Sequence, residues 1–258
     1  MTEILNEYDS ITLDEMRSIR LMNRIDTKFV TTVPMLRQLL LLAKDDYFVQ
    51  ESQGERISPY YTLYFDTPDC KMYNRHEAGH LSRQKVRVRS YVNAGLNFLE
   101  VKTKNNHGRT KKKRIEALNF DPENHSIFNV QSSLFSDFLQ TYLKFPQQSL
   151  VRQVENRFDR ITLVNKAKTE RLTIDTNLRF HNISTNNYRF MEELVVIELK
   201  RDGLQPSPIL PLLTKLRIHP HGFSKYCIGS ALTNADLRRN RIKPRLHSVE
   251  KILNSCNL

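Results

Sequence analysis

Residues Gln84 to Lys104 alternate with a period of two, the repeat of β-strands whose side chains point in turn to opposite faces. In Q-K-V-R-V-R-S-Y-V, Lys85, Arg87, Arg89 and Tyr91 share one face, and Val86, Val88 and Val92 share the other. In N-F-L-E-V-K-T-K, Phe98, Glu100 and Lys102 oppose Leu99 and Val101. Asn93-Ala94-Gly95 joins the two as a short hairpin loop. Such a ribbon needs apolar cover on one side, and what its cationic side faces decides what the protein does.

The rest of the chain must supply that cover. Thr12-Leu-Asp-Glu15 is a capping-box pattern and predicts a helix to about Asn23. Ile25 to Thr32 reads as a strand with Asp26 and Lys28 on one face. Pro34 opens a helix to Lys44. Tyr60 to Phe65 reads as a buried strand closed by the turn Asp66-Thr67-Pro68-Asp69. Beyond the hairpin and the loop Asn105 to Gly108, the pattern predicts a strand at Thr110 to Leu118 and a helix at Ser132 to Leu143. Strands follow at Val151 to Val164, Arg171 to Phe180 and Glu192 to Lys200. Helices follow at Pro206 to Ile218 and Ser224 to Arg239, with a helical or frayed tail after Pro244. About seven or eight strands with short connections, flanked by helices, make an α+β fold. Two architectures suit the one-sided charges. One is an open sheet with its charged face in water; the other is a closed barrel with a polar lumen and aliphatics packed on outer helices. The closed form explains why carboxylate-plus-lysine faces recur on separate strands.

Charge narrows the function. The 258 residues carry a formal net charge of +12 and a sequence pI near 9.7, so a polyanionic partner is expected. With seven glycines and no Walker A or Rossmann pattern, a Gly-rich phosphate loop is not expected. Cys70, Cys227 and Cys256 lack paired or metal-type spacing. The acidic N-terminus has no apolar signal region, and the longest apolar run, Leu39 to Ala43, is too short to span a bilayer. A cytoplasmic protein, reaching a membrane only through a partner, is expected. His76-Glu77-Ala78-Gly79-His80 matches H-E-x-x-H, but zinc chelation needs both histidines on one helical face, and Gly79 argues for a loop, placed at a tunnel mouth. Lys111 to Arg114 has the composition of a nucleic-acid patch, though no nucleic acid partner is expected.

The motifs R-I-D-T-K-F (24–29), Y-F-D-T-P (64–68), K-V-R-V-R-S-Y (85–91), F-L-E-V-K (98–102), K-K-R (112–114), N-R-F (156–158), R-L-T-I-D-T (171–176), V-I-E-L-K (196–200) and F-S-K-Y (223–226) resemble, in order, the VTC (vacuolar transporter chaperone) domain of the triphosphate tunnel metalloenzymes. The resemblance implies one domain over 1–258 with its core at about 20–235. It also implies an eight-stranded antiparallel β-barrel tunnel with flanking helices, and a polyphosphate polymerase moving the γ-phosphate of ATP onto inorganic polyphosphate. Triphosphate hydrolysis and plain polyanion binding are the alternatives. Carried over residue by residue, Lys28, Arg87, Arg89, Lys102 and Arg171 would be catalytic. Lys112, Arg157 and Lys225 would bind phosphate, joined by Lys85 and Lys200 from the same faces. Glu198, with Glu100, would hold Mn²⁺ or Mg²⁺. Asp26 departs from the glutamate common in tunnel enzymes, and Gly222 from a lysine of eukaryotic relatives. Whether Glu100 instead only neutralises its basic neighbours is left open by the strand pattern.

Overall fold

The computed structural model describes residues 1–17, 19, 24–124, 128–203 and 205–254. The elements in chain order are α1 (Thr2–Asn6), β1 (Asp9–Ile11), α2 (Leu13–Arg17), β2 (Arg24–Thr32), α3 (Val33–Ala43), β3 (Tyr47–Gln50), β4 (Ser58–Asp66), α4 (Lys71–Glu77), β5 (Arg83–Tyr91), β6 (Leu96–Lys104), β7 (Thr110–Glu116), α5 (Ser136–Tyr142), β8 (Val151–Asn165), β9 (Glu170–Asn182), β10 (Tyr188–Met191), β11 (Leu194–Asp202), α6 (Ile209–Lys215), α7 (Lys225–Thr233) and α8 (Lys243–Asn254).

Eight strands form one antiparallel path in the order β2-β11-β9-β8-β4-β5-β6-β7. β10 adds to β9, β3 to β8, and β1 lies parallel to β3. Lys28 of β2 and Glu198 of β11, at one end of the path, line the same cavity as Lys85 of β5 and Lys102 of β6 near the other. The sheet is therefore curled into an antiparallel half-barrel of eight strands, not spread flat. Among the described residues its two terminal strands, β2 and β7, are not hydrogen-bonded to each other.

The alternation of each strand sets which side chains point in and which point out. On β5 every second residue, Gln84, Val86, Val88 and Ser90, is buried beneath the outer layer. The aliphatics pack with Leu99 and Val101 against Phe120, Phe128, Phe135 and Leu139. On the opposite flank Ile161, Leu163, Leu172, Ile174, Val195, Ile197 and Leu199 pack on Leu36, Leu39 and Leu40 of α3 and on Ile209 and Leu213 of α6. Each such side chain, fully buried, contributes roughly 1.5–3 kcal/mol.

The interior is not polar throughout. Inward residues Tyr64, Val154, Phe158, Leu178, Phe180 and Val196 pack on Tyr226, Cys227, Ile228 and Ala231 of α7, which plugs part of the curl. Gly229 permits this approach, because a Cβ there would lie 2.4 Å from Phe180 Cδ1. Asp66, closing Y-F-D-T-P, ties three elements together. It accepts the Met72 and Tyr73 amides of α4 at 2.8 Å each and the Tyr226 hydroxyl of α7 at 2.5 Å.

Several expectations change. The capping box forms, with the Thr12 amide donating to Glu15 Oε2 at 2.8 Å. Its helix is α2, ending at Arg17, with residues 18 and 20–23 outside the description. The helix expected over Ser224 to Arg239 stops at Thr233, and the tail is a true helix, α8. Of the 76–80 segment, His76 and Glu77 end α4, and residues 78–80 form the turn after it. Gly79, at φ +78°, ends the helix and removes His80 from the face of His76, as the argument against zinc required. Cys256 lies outside the described residues. No helix among the described residues is long and apolar enough to cross a membrane.

Candidate functional site

The charged faces meet in a cavity of about 1380 Å³. Four residues expected at the site, Lys28, Lys85, Lys102 and Glu198, line it, joined by Arg24, Arg83, Lys104, Arg109 and Arg245. The strand register explains the grouping. Glu198 lies opposite Lys28 on β2 and Thr173 on β9, and Lys85 lies opposite Lys102. The Lys28 ammonium donates to the Phe223 carbonyl at 2.9 Å, and Lys85 to Ser224 Oγ at 2.8 Å, so the loop before α7 holds both. The Lys102 ammonium makes no hydrogen bond or ion pair among the described residues.

A second layer extends inward from the same strand faces. Arg87 and Arg89 follow Lys85 along β5. Arg89 makes no ion pair, and its Nε is buried with no partner. Its guanidinium stands 5.9 Å from the Tyr60 ring centroid. Lys200 donates to Thr173 Oγ1 at 3.1 Å and pairs with Glu198 at 3.0 Å. Arg171 lies opposite Lys200 on β9, its Nε also buried without a partner. Lys225, the first residue of α7, pairs with Asp175 and sits 4.2 Å from the Phe158 ring centroid. Arg160, absent from the expected set, grips the same Asp175 through Nε at 2.6 Å and an Nη2 at 2.8 Å.

Two expected residues are elsewhere, and a third serves differently. Arg157 points to the outer side, where it pairs with Glu123 at 2.7 Å and covers the Tyr61 ring at 5.0 Å. It is not brought to the cavity. Even-numbered β8 residues face inward, but aliphatics occupy both faces of that strand, so alternation does not mark Arg160 as the inner cation. Glu100 is only 1% exposed, and both its oxygens are taken, one by Arg87 at 2.6 Å and the other by Lys112 at 3.0 Å. It is the counter-ion of both neighbours. Lys112, on the exposed edge strand β7, is spent on that pair.

The electrostatics show a cation excess in a confined space. Burial, with Lys28, Lys102 and Arg87 nearby, pulls Lys85 down to about 7. Desolvation inside the curl, with Arg87 and Lys28 pushing the same way, brings Lys102 to about 8, though the residue as a whole stays open to solvent. Burial likewise lowers Lys225 to about 7, with Arg160 and Lys28 pushing the same way against Asp175. Burial would raise the Glu198 carboxyl, but Lys200, Lys28 and Lys102 hold it well below the carboxylate range. Burial would raise Glu100 too, but Arg87, Arg89 and Lys112 bring it to about 2. Ammonium groups depressed this far, beside guanidiniums without partners, make a site that a multivalent anion would relieve.

Among the described residues no group of three or more His, Cys, Asp or Glu side chains converges on one point. The carboxylates lining the cavity are Asp26 and Glu198. Hard oxygen donors this few match a Mg²⁺- or Mn²⁺-type ion that takes most of its shell from phosphate oxygens and water, and do not match an all-protein cage. Of the two carboxylates, Glu198 gives its Oε2 to Lys200 at 3.0 Å.

The model of the VTC domain matches residues 23–234. No curated protein matches. Among solved structures, a candidate adenylate cyclase from Bacillus halodurans is 12% identical, over 79% of this chain and 96% of its own, with a TM-score of 0.49. A Hippeastrum protein, a candidate adenylyl cyclase whose description gives it a dominant triphosphatase activity, is 16% identical over 81% of this chain and 96% of its own, with a TM-score of 0.48. A candidate adenylate cyclase from Vibrio parahaemolyticus is 11% identical over 80% and 97%, with a TM-score of 0.46. On the family model, which spans most of the chain, the protein belongs to the VTC domain family.

Proposed function

We propose that this protein is a polyphosphate polymerase that binds the triphosphate of ATP in the cavity and transfers its γ-phosphoryl group to the end of a polyphosphate chain. The observation that carries the reading is the convergence of cations from β2, β5 and β6 on one cavity beside Glu198 of β11, with Arg89, Arg171 and Lys102 lacking ion-pair partners among the described residues. Arginine forks and lysine point charges are the groups that bind phosphoryl oxygens. Lys28, Lys85 and Lys102 would hold the β- and γ-phosphates, with Arg87 and Arg89 behind them. A terminal phosphate oxygen of the chain forms the new bond to the γ-phosphorus, the β–γ bridging bond breaks, and ADP leaves. Such a transfer depends on positioning and charge neutralisation. A divalent ion on Glu198 would supply charge compensation to the phosphate oxygens.

The carboxylates favour this over hydrolysis. A water nucleophile needs a base. Glu100 is locked by Arg87 and Lys112, Glu198 pairs with Lys200, and Asp26 pairs with Arg24 at 2.6 Å. A phosphate nucleophile is already ionised and needs none. Incubation with ATP and Mn²⁺ or Mg²⁺ tests the reading. Polymer with ADP supports it; ADP with free phosphate alone shows a triphosphatase; binding without turnover shows a polyanion-binding module.

A further inference from the structure

A second cavity adjoins the first. His76, Arg83 and Arg245 line both the large cavity and an adjoining one of about 470 Å³, which adds Glu77, Cys227 and Arg241. Arg245 packs beside Gly222, where a Cβ would meet its guanidinium carbon at an ordinary contact of 3.6 Å. Arg245 comes from α8, beyond the residues matched by the family model. Its neighbour Leu246 and Val249 are buried in the cluster around α7, which fixes the helix.

Charge in this outer region is uncompensated. The Arg245 guanidinium makes no hydrogen bond or ion pair among the described residues. Arg83 donates only to the His80 carbonyl, at 2.6 Å, and the Arg241 guanidinium to the Ala78 carbonyl, also at 2.6 Å. The one acid, Glu77, accepts the Arg241 amide at 2.6 Å. Burial, with Lys85, Arg83 and Arg245 around it, takes His76 to about 2, so it adds no charge. Its Nδ1 is buried with no partner.

We propose that Arg83 and Arg245 form a second anion subsite, which holds phosphates beyond the three bound at the inner wall. The proposal rests on the polyphosphate reading above and assigns to α8 the discrimination of long chains from tripolyphosphate. The test is calorimetric titration of the full-length protein with long-chain polyphosphate and with tripolyphosphate at one fixed salt concentration. Arg245→Ala should weaken the long chain about tenfold, the scale of one charge-assisted phosphate contact, and change tripolyphosphate less than about twofold. Arg245→Gln is the second variant, with a thermal melt to verify folding. An unchanged affinity for both chains overturns the proposal, because Arg245 is then only a solvated cation. An equal loss for both overturns it too, by placing Arg245 in the inner site. If the wild-type protein binds neither chain, the functional reading itself fails, an outcome distinct from both.

Discussion

Arg87 and Arg89 sit two residues apart on one face, yet removing them should have different consequences. Arg87 neutralises Glu100, which is 1% exposed. Arg87→Ala leaves that carboxylate with Lys112 alone, and breaking a buried pair costs about 3–5 kcal/mol. The expected outcome is a lower melting temperature together with lost tripolyphosphate binding. Adding Glu100→Gln should recover much of the stability and none of the binding. Arg89 has no such partner, so Arg89→Ala should keep the melting temperature within a few degrees while weakening tripolyphosphate about tenfold. Equal destabilisation by the two single variants in urea melts would refute the distinction. At this scale the strand alternation was highly legible. Lys85 and Lys102 were readable because β5 and β6 bury their aliphatics on one face only. Arg160 was not, because Val154 and Phe158 pack inward on α7 while Ile161 and Leu163 pack outward. Nor does any local pattern connect Arg245 with the β5 hairpin; only the tertiary path of α8 does.

Among the elements, α7 shows why the interior is part apolar and part charged. Its body packs on the sheet's inner face, while its first residue, Lys225, and its N-cap, Ser224, face the cations. Gly229→Ala puts a methyl into Phe180 and should cost about 1–3 kcal/mol, the usual range for overpacking. Asp66→Ala unties α4 from α7, leaving the Tyr226 hydroxyl and the α4 amides without their acceptor. Unmade buried hydrogen bonds cost about 1–3 kcal/mol each, so this variant should melt well below Gly229→Ala in the same denaturant series. Neither residue contacts the expected phosphate path, so a loss of binding without loss of stability would contradict the division of α7 into plug and site. The sequence marks Y-F-D-T-P as a turn, and it is one, but the bond from Asp66 to Tyr226 spans 160 residues and has no local signature. The short strands β1, β3 and β10 escaped notice for a related reason. Each takes its place through pairing with a neighbour rather than through its own pattern.

For the whole molecule, the surplus of +12 makes folding and ligand binding respond oppositely to pH. Lys85, facing Cys227, Lys28, Lys102 and Arg87, and Lys225, facing Asp175, Arg160 and Lys28, both titrate near 7 in the fold. In the unfolded chain a lysine keeps its proton to about pH 10.4. Between these limits the unfolded state binds more protons, so the stability of the ligand-free protein should rise with pH, by up to about 1.4 kcal/mol per pH unit for each lysine. Below 7 both states are protonated and this contribution is flat. A phosphate chain prefers the charged ammonium groups, so its binding takes up protons, and affinity should fall as pH rises from about 7 to 8.5. Thermal melts at intervals across that window, with and without saturating tripolyphosphate, should therefore converge. The ligand-free melting temperature climbs, and the gain from ligand shrinks. Above this range the buried Cys70 thiol, pushed up to about 11, begins to oppose the trend, because an unfolded thiol ionises first. A ligand-induced gain that grows with pH would mean that the lysines facing the cavity are already fully charged without an anion, and that the crowding of cations inside the half-barrel is not what drives phosphate binding.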